Sequence, residues 1–219
     1  MSAHLEITDD VAVLNLGDDE NRFSPEWLAG VNGFLDRIEA GEAKALVTTG
    51  SGKFYSNGLD LDWLAAHSDQ GDWYLGQVHQ LLARVLVAPV PTVAAINGHA
   101  FGAGSMLGIA HDFRVMRADR GFFCFPEVDI HIPFSPGMAA IIQAKLTPAT
   151  AVEAMTTGRR YGGADAETAG LVTATAPEDG VTSTAVDLVT PLKGKDPGTL
   201  QAIKSTMFAS VTAALSGTA

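Results

Sequence analysis

Thr92–Gly104 reads TVAAINGHAFGAG. The run Thr92–Ile96 is apolar without polar alternation, which predicts a strand buried on both faces. It leads into Asn97-Gly98-His99 and then Gly102-Ala103-Gly104, ahead of small apolar residues to Ala110. A buried strand, a glycine-rich exit and a small-residue helix near Gly102–Ala110 predict a strand-to-helix junction in an α/β fold.

The same grammar appears upstream. Lys44–Thr49 (KALVTT) predicts a second buried strand, followed by the glycine-punctuated stretch GSGKFYSNGLDL, residues 50–61. Residues 5–16 alternate as a hairpin about Asp9-Asp10. Ser24-Pro25-Glu26 opens a helix, with serine as cap and proline in the first turn, and Gly41 ends it. Trp27, Leu28, Val31, Phe34, Leu35 and Ile38 recur along that helix at helical spacing. A second amphipathic helix is expected over Asp72–Val87, stopped by Pro89 and Pro91. Downstream, Phe113–Met116 and Phe122–Phe125 read as short strands. From Gly137 the chain reads as helical, broken at Pro148, Gly162-Gly163, Pro191 and Pro197. These readings predict a core over residues 1–145 and a helical C-terminal part over residues 146–219.

Composition narrows the function. The chain has 219 residues, 47% of them hydrophobic and 18% charged, as expected of a packed globular protein. Its formal charge of −11 opposes non-specific binding to nucleic acid or anionic membrane, which need a positive field. One cysteine, Cys124, permits no internal disulfide. No apolar run reaches a membrane span, and the N-terminus lacks the pattern of a signal peptide. The expected location is the cytoplasm, and the tail carries no S-K-L signal.

Three segments are candidates for chemistry. The loops at Phe54–Leu61 (FYSNGLDL) and Asn97–Gly104 each place glycines at a strand-to-helix junction. Backbone N–H groups there lack intrahelical partners and can meet a ligand oxygen. Taken alone, each loop is better read as an ordinary glycine turn. Gly102–Gly108 approaches a dinucleotide fingerprint, but its third glycine falls one place late, and Ser105 lacks the G-x-S-x-G setting of a hydrolase. The third segment, Phe122–Phe134 (FFCFPEVDIHIPF), holds Glu127 and Asp129 in apolar surroundings. Desolvation there would raise a carboxyl pKa, as suits an acid/base catalyst. The same alternation also fits an edge strand, with Val128, Ile130 and Ile132 inward and Glu127, Asp129 and His131 in water. His99, His111 and His131 have no metal-ligand spacing, and no metal is expected.

Together the segments resemble the crotonase, or enoyl-CoA hydratase/isomerase, superfamily. Phe54–Leu61 is similar to its F-x-A-G-x-D-[LI] loop, Ala94–Gly104 to its A-x-x-x-G-x-[AC]-x-G-G-G segment, and Phe125–Val128 to its F-x-x-P-E-[VI] element. Ser56–Leu61 and Arg120–Ile130 (RGFFCFPEVDI) resemble short Δ3,Δ2-enoyl-CoA isomerases in particular. The resemblance implies a spiral of ββα units with a helical trimerisation part, and a homotrimer or hexamer. Leu200, Ile203, Met207, Val211 and Leu215 would supply a contact stripe on the last helix. It implies an acyl-CoA substrate, coenzyme A being part of that substrate and not a separate cofactor. Its thioester oxygen would lie between the N–H groups of Leu59 and Ala103. Family hydratases use two glutamates, and the place of the first is Met106 here. Glu127 alone remains, which suits a 1,3-proton shift from 3-enoyl-CoA to trans-2-enoyl-CoA. Ser56, Asn57 and Gly58 fall where the family meets CoA, while Lys53, Arg22 and Lys204 are candidates for its phosphates or for closing over it. The alternatives are a hydratase-like reaction in which Asp129 supplies the missing group, and a non-catalytic acyl-CoA binding protein.

Overall fold

The structure, a computed structural model, describes residues 3–217. Among them, β1 (His4–Thr8), β2 (Val11–Asn15), β3 (Ala45–Thr49), β5 (Thr92–Ile96), β7 (Phe113–Arg117) and β9 (Ala174–Ala176) form one sheet in that spatial order. The first pair is antiparallel and the rest are parallel. A second sheet holds β4 (Phe54–Ser56), β6 (His99–Phe101) and β8 (Phe123–Cys124), all parallel.

The chain thus lays one strand in the large sheet, the next in the small sheet, and then a helix. β3 and β4 lead to α2 (Leu61–Ala66) and α3 (Gly71–Leu86), β5 and β6 to α4 (Ala103–Ala110), and β7 and β8 to α5 (Pro136–Lys145). This is a spiral of ββα units, the architecture that the resemblance implies.

Local chemistry explains the elements. Asp9 and Asp10 both have positive φ, the geometry of a two-residue hairpin turn, and the register Thr8↔Val11 follows. α1 (Pro25–Glu39) is capped by Ser24, whose Oγ accepts the Trp27 N–H at 3.2 Å. Leu28, Val31, Leu35 and Ile38 form its buried face. Alternation along the central strands splits the core in two. Leu46, Ala94, Ile96 and Met116 face α1, α3 and α4 in the larger cluster, while Ala45, Val47, Val93, Ala95 and Val115 face α8 (Val181–Val189) in the smaller.

The structure departs from the sequence reading in several places. The two glycine loops contain β4 and β6, and β8 covers only part of Phe122–Phe125. Elements of two or three residues are too short to show a period of two. The stretch after residue 145 holds α6 (Pro148–Thr157), α7 (Gly163–Thr168) and α8, but also β9, which joins the large sheet beside β7. The last helix is two, α9 (Pro197–Met207) and α10 (Ala209–Ser216), divided at Phe208. The expected stripe divides with them. Val211 and Leu215 are buried, while Ile203 and Met207 are exposed. α10 packs on α3 and α5, so closely that a side chain on Gly137 would strike Leu215.

Candidate active site

Adjacent parallel strands end at the same edge of a sheet, so the loops after β3 and β5 emerge side by side. The first is shaped by buried polar side chains. Ser56 Oγ donates to the Asn21 carbonyl at 2.8 Å and accepts the Gly58 N–H at 3.1 Å. Asn21 Nδ2 in turn donates to the Tyr55 carbonyl at 3.0 Å. The Asp60 N–H is held by Tyr74 Oη at 2.8 Å, and the Asp60 carboxylate caps α2 through the Trp63 N–H at 3.1 Å. Between these anchors Gly58 adopts φ +80°.

The second loop is pinned by Ser105, whose Oγ lies 2.6 Å from the Ala100 carbonyl and 2.9 Å from that of Cys124. Gly102, at φ +52°, turns the chain into α4, whose first backbone bond runs from Met106 N–H to the Gly102 carbonyl at 3.0 Å. A side chain on Gly104 would run into the Ser56 carbonyl, so the two loops pack backbone to backbone. Where they meet, the N–H groups of Leu59 and Ala103 donate to no protein acceptor among the described residues.

The third segment does not continue as an edge strand. After β8 the chain coils into a tight turn, with Asp129 and Ile130 N–H donating to the Pro126 carbonyl at 2.9 and 3.1 Å. The turn breaks the alternation a strand would give, leaving residues 128–131 all exposed. Glu127 points inward at 8% exposure, while Val128 and Ile130 are out at 46% and 45%. Asp129 is exposed and its carboxylate lies against Gly158.

These three segments enclose a cavity of about 350 Å3. Asn57, Leu59, Ala103, Met106 and Glu127 all line it. Ser56 and Gly58 shape its wall without lining it. Burial lifts the Glu127 carboxyl from its ordinary 4.5 to about 7, with a backbone hydrogen bond opposing the rise. Its Oε2 is buried and meets no donor among the described residues. Met106, on the first turn of α4, lines the same cavity and is almost wholly buried.

Two expected residues are not brought here. Lys53 is exposed, with its ammonium 5.3 Å from the centre of the Phe54 ring, and does not line the cavity. Lys204 lies elsewhere, its Nζ donating to Asp112 Oδ2 at 2.6 Å and to the Val90 carbonyl at 3.0 Å. It therefore ties α9 to the core by a buried ion pair. Arg22 does line the cavity but is engaged by Glu20 and Asp62 at 2.5 and 2.6 Å. Sequence reasoning missed Arg160, an exposed cation on the cavity wall, 5.7 Å over the Phe101 ring. Its only signal was the pair Arg159-Arg160 after Gly158. Asn21 was missed too, since nothing in the sequence around it announces a loop staple. No group of three or more metal-ligating side chains occurs among the described residues, and none of their helices is long and apolar enough to cross a membrane.

Residues 6–218 match the family described as enoyl-CoA hydratase/isomerase. The chain is 36% identical over 204 residues to enoyl-CoA delta isomerase 3 of Arabidopsis thaliana, covering 87% of this chain and 84% of that one. A solved structure of a probable enoyl-CoA hydratase of Mycobacterium tuberculosis superposes with a TM-score of 0.91 at 26% identity, covering 98% of this chain and 92% of that one. Human mitochondrial delta3-delta2-enoyl-CoA isomerase shares the fold, with a TM-score of 0.91 at 22% identity over 97% of this chain and 85% of that one. With its ββα spiral, its paired loops and its match along nearly the whole sequence, the chain belongs to the enoyl-CoA hydratase/isomerase family.

Proposed function

We propose that the protein is an enoyl-CoA isomerase that moves a 3-enoyl-CoA double bond to the trans-2 position, with Glu127 as its single acid/base. The observation that carries this reading is the asymmetry of the cavity. Glu127 is its one buried carboxylate among the described residues, and Met106, where family hydratases carry a second glutamate, lines the same cavity with a thioether.

The proton inventory fits. Hydration needs a positioned group for the oxygen added at C3 and another for the proton added at C2. A 1,3-shift needs one. Glu127 takes the proton from C2, the C2 electrons pass into the thioester carbonyl and the existing double bond, and a dienolate forms. The same carboxyl then returns the proton to C4, leaving the double bond between C2 and C3. A carboxyl held near 7 exists in both forms at neutral pH, as a group that must first accept and then donate requires. The developing oxyanion would be met by the Leu59 and Ala103 N–H groups, each donor contributing about 2.7–4 kcal/mol to the transition state. Asn57 and Arg160 on the cavity wall are suited to the CoA portion.

A hydratase reading through Asp129 finds little support, since that carboxylate is exposed and turned toward Gly158. The similarity to a delta isomerase supports the isomerase reading. Incubating the protein separately with a 3-enoyl-CoA and with a trans-2-enoyl-CoA in water tests it. Appearance of the conjugated thioester absorbance from the first, with no loss from the second, is the expected result. Turnover of the second by hydration alone would overturn the proposal.

A further inference from the structure

Thr48, Tyr55 and His111 are buried polar side chains that the proton transfer does not use. They come from three elements: Thr48 from β3, Tyr55 from β4, and His111 from the residue that closes α4. Thr48 Oγ1 lies 2.7 Å from Tyr55 Oη and 2.9 Å from His111 Nε2. On the other side of the ring, His111 Nδ1 lies 2.8 Å from the Leu107 carbonyl, one turn back on α4.

One arrangement of hydrogens satisfies this chain. A carbonyl accepts and never donates, so Nδ1 carries the hydrogen. Burial pushes the His111 pKa down to about 4, so the ring is neutral at pH 7 and Nε2 accepts. Thr48 then donates to Nε2, and its oxygen accepts the Tyr55 O–H. Burial also raises the Tyr55 pKa, which keeps that proton on the phenol. The chain therefore runs one way, from Tyr55 through Thr48 and His111 to Leu107.

Both ends of it are anchored. The His111 carbonyl accepts from Lys145 Nζ of α5 at 2.8 Å and from Arg114 Nη1 of β7 at 3.1 Å. At the other end Tyr55 directly precedes Ser56, whose Oγ holds the Gly58 N–H. The helix between needs such a hook. All eight residues from Ala103 to Ala110 are buried, and five of them are alanine, glycine or serine. Small side chains interlock little with their neighbours, so apolar packing alone resists a slide along the helix axis poorly, whereas a satisfied polar network fixes one arrangement. Ser105 pins the first turn of α4 to β6 and β8, and His111 pins its last.

We propose that Thr48, Tyr55 and His111 are positioning residues, a hydrogen-bonded strut that sets the spacing of the Leu59 and Ala103 N–H groups. The inference rests on reading those two groups as the site of the thioester oxygen. The loop carrying one donor and the helix opening with the other are thereby held to a single buried hydroxyl, that of Thr48.

Infrared difference spectra of bound butanoyl-CoA, labelled with 13C at its carbonyl, test this on the full chain alongside steady-state rates with a 3-enoyl-CoA. Wild type should lower the carbonyl stretch relative to the ligand in water. Thr48→Val keeps the shape but breaks both hydroxyl bonds. It should return the stretch at least halfway to its free value and lower kcat about tenfold, less than the loss of a whole donor, with KM unchanged. Thr48→Ser keeps the hydroxyl and should restore both readouts. If Thr48→Val does not fold, Tyr55→Phe, which cuts one bond, should move the stretch and kcat in the same direction. A lowered stretch in wild type that survives in the folded variants would overturn the strut and leave the oxyanion site standing. Equal losses in Thr48→Val and Thr48→Ser would overturn it too, since packing and not the hydroxyl would then matter. An unshifted stretch in wild type would overturn the oxyanion reading itself, and the strut with it.

Discussion

A Cβ placed on Gly58 would stand 2.8 Å from the backbone nitrogen of Ala103 and 2.7 Å from the Phe101 carbonyl oxygen. The two loops that carry the proposed oxyanion donors therefore touch at a residue with no side chain. Gly58 also holds φ +80°, which L side chains disfavour. Gly58→Ala should push the loops apart and misplace the Leu59 and Ala103 N–H groups. The expected result is a fall in kcat of about a hundredfold, the scale of one lost oxyanion donor, together with about 1–3 kcal/mol lower stability. A folded Gly58→Ala protein with unchanged turnover would remove this junction from the mechanism.

Glu127 meets the second loop as closely. Its Oε1 lies 3.3 Å from where a Cβ on Gly102 would sit, so the carboxylate rests directly over the helix-opening turn. Glu127→Gln keeps the size but cannot take up a proton at neutral pH. Isomerisation should fall by about 10^2–10^4-fold, the usual range for a general base, with acyl-CoA affinity nearly unchanged.

The same substitution has a consequence for stability. A carboxyl whose folded pKa is raised from 4.5 to about 7 is penalised in the folded state when ionised. The folded protein holds its proton over that window better than the unfolded chain does, so this group's contribution to stability falls as pH rises from about 4.5 to 7 and stays low above. The full loss is about 3 kcal/mol for a shift of this size. Glu127→Gln should therefore melt higher than wild type at pH 8 and equal to it near pH 4.5. Equal melting temperatures at both pH values would show that the carboxyl is not desolvated.

The rate profile follows from the same burial. Abstraction from C2 needs the ionised carboxylate, so kcat/KM should rise with pH through an apparent pKa near 7 and level off above it. A profile that levels off already near pH 5 would show that an ordinary, solvated carboxylate serves as base.

How much of this was legible beforehand depends on the length of the signal. The five-residue buried strands and the long amphipathic helices α1 and α3 carry many periodic positions, and each was readable within a residue or two. The three-residue strands β4, β6 and β9 carry too few. Glu127 was findable because a carboxyl stood in an apolar run, but its direction was not. A tight turn from Pro126 to Ile130, and not a strand, decides that Glu127 faces in and Ile130 out. Lys204 shows the opposite failure. The pattern around it resembles a substrate-closing lysine, yet Asp112, ninety-two positions earlier, holds the same ammonium. Pairings at that separation leave no trace in local sequence.

Assembly is a further expectation. Val152 on α6 and Ile203 and Met207 on α9 are exposed at 64%, 52% and 67%, unusual for large apolar side chains on an acidic surface. Light scattering at micromolar concentration should give a trimer or hexamer, and Val152→Glu should lower the assembly's stability. A wild-type monomer would count against the trimer.

Met106 offers the most direct comparison between the two chemistries of the family. Its side chain is almost wholly buried and lines the same cavity as Glu127. Met106→Leu keeps an apolar wall of similar volume and should isomerise at near wild-type rate. Met106→Glu places a second carboxyl in a desolvated site beside the first, and the cost of a buried, unpaired charge should lower stability by about 3 kcal/mol at pH 8. Two neighbouring carboxyls cannot both ionise readily, so one is held protonated near neutrality, the state needed to donate a proton while the other activates water. The variant should gain slow hydration of trans-2-enoyl-CoA, which the wild type should lack, while losing isomerase rate as Glu127 is held back from ionising. Following both reactions on wild type and the two variants separates the possibilities. Strong hydration by the wild type would mean that the missing group is supplied from elsewhere, and the single-base mechanism would fall.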